Sequence, residues 1–245
     1  MTLEKKLFGK KKSMLFRMDE GRLIKLYDPE IGLKDVIHDC CMTEFLLKRG
    51  ASCVLSYDLT NIRGAYGLIY HLPDVRTLGQ VISAEPERME YWAEAFADFF
   101  CSIQDISMEE DSVEEAEEVF VSWVKKGMRE FDPKLEKSME NIIHSIPKRN
   151  SLVLGNLHCG NVLVWHGNLF LLDIDQIYIG HPIYGISKMF LEYELGQKDG
   201  NAFMVEHFGL TIEQTEQFWI KFKEAYRKRP GCTRFYQSCS EIWYF

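Results

Sequence analysis

The chain has 245 residues, 46% of them hydrophobic, with 16 Phe, 11 Tyr and 5 Trp, enough for one large core or two small lobes and too apolar for a disordered chain. Its formal charge of −8 argues against a general nucleic-acid binder. Seven cysteines at 40, 41, 53, 101, 159, 232 and 239 form no CxxC pair and fit neither a disulfide framework nor a zinc site.

Free thiols point to a reducing compartment. The N-terminus, "MTLEKKLFGKKK", lacks the apolar core of a signal peptide, and no apolar run approaches the ~20 residues that cross a bilayer. A cytoplasmic protein without a membrane segment is the expectation.

In chain order, "SMLFRM" (13–18) and "RLIKLYD" (22–28) flank the turn signal "DEG" and predict an antiparallel hairpin. "KDVIHDCCMTEFLLKRG" (34–50) has helical spacing and closes on Gly50, a plausible cap. Two strand-like runs follow, "CVLSYDL" (53–59) and "YGLIYHL" (66–72), joined by "TNIRGA". After Pro73 the pattern turns helical over 86–106, 113–131 and 133–146, and again over 183–197 and 211–229. Between these sits a strand pair with "HGN" (166–168) as its turn.

The expected architecture is α+β: a β-rich lobe over 1–72, with a small antiparallel sheet and one helix, then a helical lobe over 73–245 interrupted by a hairpin. The run "SMEEDSVEEAEEVF" (107–120) carries seven acidic residues and reads first as a solvated helix face, second as an acidic docking site.

The polar residues converge on "GNLHCGN" (155–161) and "LLDID" (171–175). A turn at 166–168 would bring Asn161 and Asp173 together, an amide oxygen and a carboxylate that suit Mg²⁺. The competing reading is a polar hairpin with Asn in its turns and Asp at its strand ends. His158 with Cys159 makes a poor metal pair, because adjacent residues seldom ligate together and no distant CxxC completes the shell.

"LVLGNLHCGNVLV" followed by "LFLLDIDQIYIGHPIYG" resembles the catalytic segment of the aminoglycoside phosphotransferase and choline kinase group, whose pattern is H-G-D-x-H-x-x-N, a strand, I-D-[FWM]-[DE] and G-[DH]-P with a further Asp. The spacing agrees without a gap, most strongly over 152–190 and also over 13–72. The resemblance implies a protein-kinase-like two-lobed fold and transfer of the γ-phosphate of ATP to a hydroxyl of a small molecule, with GTP left open by the sequence.

Carried over residue by residue, it implies that Asn161 and Asp173 hold Mg²⁺ on the phosphates and that His158 braces the loop. Lys25 would contact the phosphates, with Asp39 as its partner acid and Glu44 as the runner-up. "YHL", with Tyr70 and Leu72, would be the hinge that receives adenine. An acidic acceptor pocket built from the acidic helical region and the helices after 183 would suit a cationic acceptor such as an aminoglycoside or an amino alcohol.

The departures fall at functional positions. Leu154 replaces the usual His, Asn156 the aspartate that accepts the substrate proton, and Gly185 the Asp after "GHPIY". Gly9 is the only glycine near the expected phosphate-covering turn, beside the lysines at 10–12. An Asn amide can orient a hydroxyl but has no basic site near neutral pH. Loss of general-base help is worth roughly 10²–10⁴ in rate, or about 3–5.5 kcal/mol of barrier. Phosphoryl transfer draws most of its acceleration from positioning and electrostatics, so nucleotide binding should survive. Three readings follow: an impaired phosphotransferase, a silent nucleotide-binding pseudokinase acting as a sensor or protein scaffold, and an active parent whose aspartate was changed. The added losses at 154 and 185 favour the second over the third.

Overall fold

A computed structural model of the chain describes residues 5–9, 13–19, 21–109, 113–128, 133–172, 174, 176–195 and 208–229. The lysines at 10–12, Asp173, Cys232 and Cys239 lie outside the described residues. The chain divides into two compact units, one of Met1–Pro86, His158–Asp175 and Ala202–Thr211, the other of Glu87–Leu157, Gln176–Asn201 and Ile212–Phe245. No helix among the described residues is long and apolar enough to cross a membrane.

The first unit holds a five-stranded antiparallel sheet in the order β1-β2-β3-β5-β4. Its strands are β1 (Lys5–Gly9), β2 (Ser13–Arg17), β3 (Arg22–Tyr27), β4 (Asp58–Ile62) and β5 (Ala65–His71). The expected β2–β3 hairpin forms, registered from Ser13 opposite Tyr27 to Arg17 opposite Leu23. Its turn is held by the Asp19 carboxylate, which accepts from the Gly21 and Arg22 amides at 3.1 and 2.9 Å.

Helix α1 (Leu33–Lys48) ends as its sequence predicts. Gly50 takes φ +91°, the Ala51 amide donates to Leu46 O and the Gly50 amide to Leu47 O, both at 3.0 Å. This is a Schellman close, and its left-handed residue favours glycine.

The run 53–59 is not the strand its apolar content suggests. β4 begins only at Asp58 and is a mostly exposed edge strand, so it carries no apolar alternation to read. Its tight connection to β5 puts Arg63 at φ 54° and Gly64 at φ 91°, the paired positive dihedrals that match strand twist in a two-residue hairpin. Residues 52–54 pair instead with Leu171, where the Leu171 amide donates to Ser52 O at 2.8 Å and the Val54 amide to Leu171 O at 3.1 Å.

That pairing draws the later hairpin, β8 (Val162–Trp165) and β9 (Asn168–Leu171), into the first unit. Its turn again has two positive dihedrals, His166 at 48° and Gly167 at 78°. A short strand β6 (Arg76–Thr77) joins β8 on its other side. The compact units therefore do not follow the expected 1–72 and 73–245 division, since long-range strand pairing returns residues 162–171 to the N-terminal segment. One apolar cluster spans both parts of the unit, with Leu15, Leu23, Tyr27, Val36, Leu68, Tyr70, Leu72, Leu163 and Leu172 buried together.

Thr77 caps helix α2 (Leu78–Ala84), which has a reciprocal capping box with Gln80. Seven residues are too short for a clear helical period, so this helix has no strong signal in sequence. Its second residue, Gly79, donates its amide to Cys159 O at 2.8 Å.

The second unit is mainly helical: α3 (Met89–Gln104), α4 (Ala116–Met128), α5 (Pro133–Ser145), α6 (Ile183–Phe190) with a π-helical turn at Leu191–Leu195, and α7 (Ile212–Arg227). Helices α3 and α7 pack through aromatic rings, with Phe96 5.4 Å from Phe222 and Phe100 5.6 Å from Tyr226 between centroids. A two-stranded ribbon pairs β7 (Ser151–Leu154) with β10 (Ile177–Gly180). The acidic segment flanks both edges of this ribbon, bridging Ser107 to Ser151 and Glu115 to Ile179.

The tightest backbone approach is at Gly79, where an added Cβ would lie 1.6 Å from the Phe208 carbonyl oxygen. Gly79→Ala should therefore cost about 3 kcal/mol or more, because the obstacle is backbone. Gly127→Ala, with nothing within 4 Å of its Cβ position, should instead gain up to about 1 kcal/mol. Urea unfolding of the two variants checks both signs.

Candidate functional site

Lys25 sits in the middle of β3, 4% exposed. A buried ammonium is stable only when paired. Its Nζ lies 3.4 Å from Asp39 Oδ2 on α1. The Tyr27 hydroxyl donates to the same carboxylate oxygen at 2.7 Å, and the Lys25 ammonium lies 5.0 Å from the Tyr27 ring centre. Burial first, then the Asp39 charge among its neighbours, hold the Tyr27 phenol well above its ordinary pKa, so it remains a donor. The runner-up acid, Glu44, pairs with Lys48 at 3.0 Å on the exposed face of α1. The structure thus brings Lys25 to Asp39 and not to Glu44.

Sequence reasoning missed Tyr27. The signal was present, since residues two apart on a strand share a face and 25 and 27 both belong to β3.

Tyr70 and Leu72 are 4% and 2% exposed. Both belong to the core cluster, and the Leu72 amide donates to Gly21 O at 2.9 Å. Their side chains pack the sheet, while His71 between them is exposed.

The loop after β7 is closed by its own residues. The His158 amide donates to Asn161 Oδ1 at 3.0 Å, and the Gly160 amide donates to His158 Nδ1 at 3.1 Å. The Asn161 amide returns to His158 O at 3.1 Å. The His158 ring lies 4.8 Å from the Phe208 ring between centroids. With Gly79 on Cys159, this loop is held from α2 and from residue 208, two contacts that no sequence pattern announces.

Asn161 is 2% exposed and stands one residue before the Val162–Leu171 pair. Asp173 falls outside the described residues. As a test of fit for Mg²⁺, Asn161 offers a hard carboxamide oxygen, which accepts from the His158 amide. Among the described residues no three His, Cys, Asp or Glu gather in a metal-binding group.

Asn156 belongs to the second unit, half-buried in the turn after β7. Gly155 before it is obligatory by space: a Cβ there would meet Tyr178 Cε2 at 2.6 Å. The Gly155 amide donates to Gln176 O at 2.8 Å. The other two departures from the family pattern are neighbours. A side chain at Gly185 would start 3.5 Å from Phe100 Cζ and 3.6 Å from Leu154 O. The Phe100 ring and the Leu154 carbonyl border the Gly185 position.

Part of the acidic run lines a groove of mixed charge. The groove along α4 and α5 is lined by Glu117 and Glu118 but also by Lys125, Lys126 and His144. His144 Nδ1 lies 2.8 Å from Glu117. The charges balance, as on a solvated face.

His181, of the "GHP" motif, accepts from the Ile183 amide at Nδ1, 3.1 Å. Burial, then the Arg149 charge, lower its pKa from 6.5 to about 4. The folded state keeps it neutral while the unfolded chain binds a proton below its ordinary value. Its contribution is therefore complete above pH 6.5 and is lost as the pH falls toward 4. Urea midpoints measured between those limits should fall more steeply for the native chain than for His181→Asn; parallel curves would remove His181 from the coupling.

The sequence matches no protein-family model and no curated protein. Solved structures do match. The GDP complex of wild-type aminoglycoside 2'-phosphotransferase-IIIa is 11% identical, with a TM-score of 0.54 over 98% of this chain and 93% of that one. The choline kinase LicA from Streptococcus pneumoniae is 14% identical, with a TM-score of 0.51 over 96% and 91%. A choline/ethanolamine kinase family protein from Mesorhizobium loti is 10% identical, with the same TM-score over the same shares. The chain therefore has the protein-kinase-like α+β fold of the aminoglycoside phosphotransferases and choline kinases.

Proposed function

We propose that this chain binds a purine nucleoside triphosphate, ATP or GTP, through its first unit, and that it transfers the γ-phosphate to a hydroxyl of a small molecule slowly. The observation that carries this reading is the buried Lys25–Asp39 pair at 3.4 Å, an ammonium fixed by a carboxylate on a sheet of this fold. Such a lysine is oriented to neutralise phosphate oxygens. Asn161, with Asp173, would hold Mg²⁺, which when bound would neutralise charge on the phosphates. His158 would brace the loop through the hydrogen bonds that run between it, Gly160 and Asn161.

At the acceptor end, Asn156 can accept a hydrogen bond from a hydroxyl and orient it, but it cannot remove the proton. The proton then leaves with the transferring group or through solvent, which keeps most of the positional catalysis and loses the base. The balanced charge of the α4–α5 groove gives no reason to prefer a cationic acceptor.

A second reading, a nucleotide-binding pseudokinase that works through a protein partner, is favoured by one observation. A side chain at Gly185 would start 3.5 Å from Phe100 Cζ, so an aromatic ring borders the position where the resemblance expects an Asp.

Calorimetric titration with ATP, with and without Mg²⁺, tests the binding claim. Mg²⁺-dependent binding is expected, with Lys25→Met at least about tenfold weaker; no binding at millimolar nucleotide would remove the reading. Asn156→Asp separates the two alternatives. Turnover with a hydroxylated acceptor rising by about 10² or more would identify an impaired enzyme, and no rise would identify the pseudokinase.

A further inference from the structure

We propose that the second unit carries a ligand site of its own. It is a cavity at the Ser151 end of the β7–β10 ribbon that takes a small α-amino acid as its zwitterion, with the ammonium among Glu115, Glu117 and Tyr184 and the carboxylate on Arg149. The inference is independent of the nucleotide-binding reading, since every residue that lines this cavity belongs to the second unit.

The ribbon registers Gly180 opposite Ser151 and Ile177 opposite Leu154. Asn150, Ile179 and Gly180 border the cavity, whereas Asn156 follows the other end of β7. A strand of four residues is about 13 Å long, so a small molecule in the cavity does not reach Asn156 and is not a phosphate acceptor there. The cavity volume is about 160 Å³. At about 30 Å³ for each water-sized group it holds roughly five such groups, the size of glycine or alanine.

What marks the cavity as a site is a hydroxyl with nothing to bond. Tyr184 is 3% exposed and lines it. The ring packs on Phe120, 4.8 Å between centroids, but the hydroxyl makes no hydrogen bond among the described residues. A tyrosine hydroxyl taken out of bulk water without a partner carries a free-energy cost that a bound polar group removes. Burial, then the Glu117 and Glu115 charges, hold its pKa above the ordinary value, so it stays neutral and can accept as well as donate.

The charges divide between two ends. Glu117 and Glu115 act on Tyr184, whereas the charge that acts on His181 is that of Arg149. His181, 7% exposed, is neutral near pH 7 and adds no charge to either end. Lys148 stands 3.8 Å from Glu115 and His144 2.8 Å from Glu117, with the two cationic side chains 81% and 56% exposed. Solvent weakens such pairs, and a carboxylate has about four lone-pair sites, so each glutamate can take a further donor.

An ammonium has three protons, and Glu115, Glu117 and the Tyr184 oxygen are three acceptors. A carboxylate matches the planar fork of Arg149. The lining glutamates are balanced by Lys148 and Arg149, so a simple anion meets two carboxylates and a simple cation meets a guanidinium. A molecule with both charges answers both ends.

The test is calorimetric titration of the whole chain with glycine and L-alanine, and with acetate, methylammonium and inorganic phosphate as single-charge probes. Both amino acids should bind saturably in the millimolar range, and each single-charge probe at least about tenfold more weakly. No saturable binding of either amino acid below about 10 mM, or a single-charge probe binding as tightly as L-alanine, overturns the inference. Tyr184→Phe keeps the ring against Phe120 and removes only the oxygen, and Arg149→Gln removes the guanidinium from an exposed position. Each should weaken L-alanine about tenfold; unchanged affinity in either variant would overturn the assignment. Should a variant fail to fold, the probe comparison on the native chain decides alone.

Discussion

A lysine ammonium buried in the middle of a sheet must be answered by a negative charge, and in this protein that requirement ties β3 to α1. Asp39 supplies the charge and Tyr27 fixes the carboxylate from a second direction. The helix cannot move away without taking the Asp39 charge from Lys25 in a 4% exposed site, and breaking such buried pairs is worth several kcal/mol. The same cluster that buries Lys25's neighbours, Leu23, Tyr27, Val36 and Tyr70, is the core of the first unit. Packing and electrostatics therefore set one geometry together.

The loop that follows β7 is organised on a different principle. It is closed by hydrogen bonds between His158, Gly160 and Asn161. Gly79 and Phe208 press on it from elsewhere in the chain, at a separation no side chain could share. A loop pinned in this way keeps its amides and carbonyls in fixed directions, which is the preorganisation a phosphate site needs.

The three departures from the family pattern differ in kind. Asn156 changes chemistry and leaves shape nearly intact. Gly185 adjoins the Phe100 ring and the Leu154 carbonyl, so a side chain there would start against an aromatic ring.

Much of this was legible in the sequence. The β2–β3 hairpin, α1 with its Gly50 close, the hairpin around 166–168 and the Lys25–Asp39 pairing are set by local turn chemistry, short-range periodicity or motif spacing. The strand at 58–62, the helix at 78–84 and the flanking of the β7–β10 ribbon by the acidic segment were not, because each depends on pairing with residues far along the chain. By itself the sequence determined which groups are available, namely the lysine at 25, the carboxamides at 156 and 161, and the proline at 73. Only the tertiary structure decided which segments share a compact unit and that residues 52–54 pair with Leu171. Those outcomes are set by strand register and long-range packing, and neither is encoded in any local stretch.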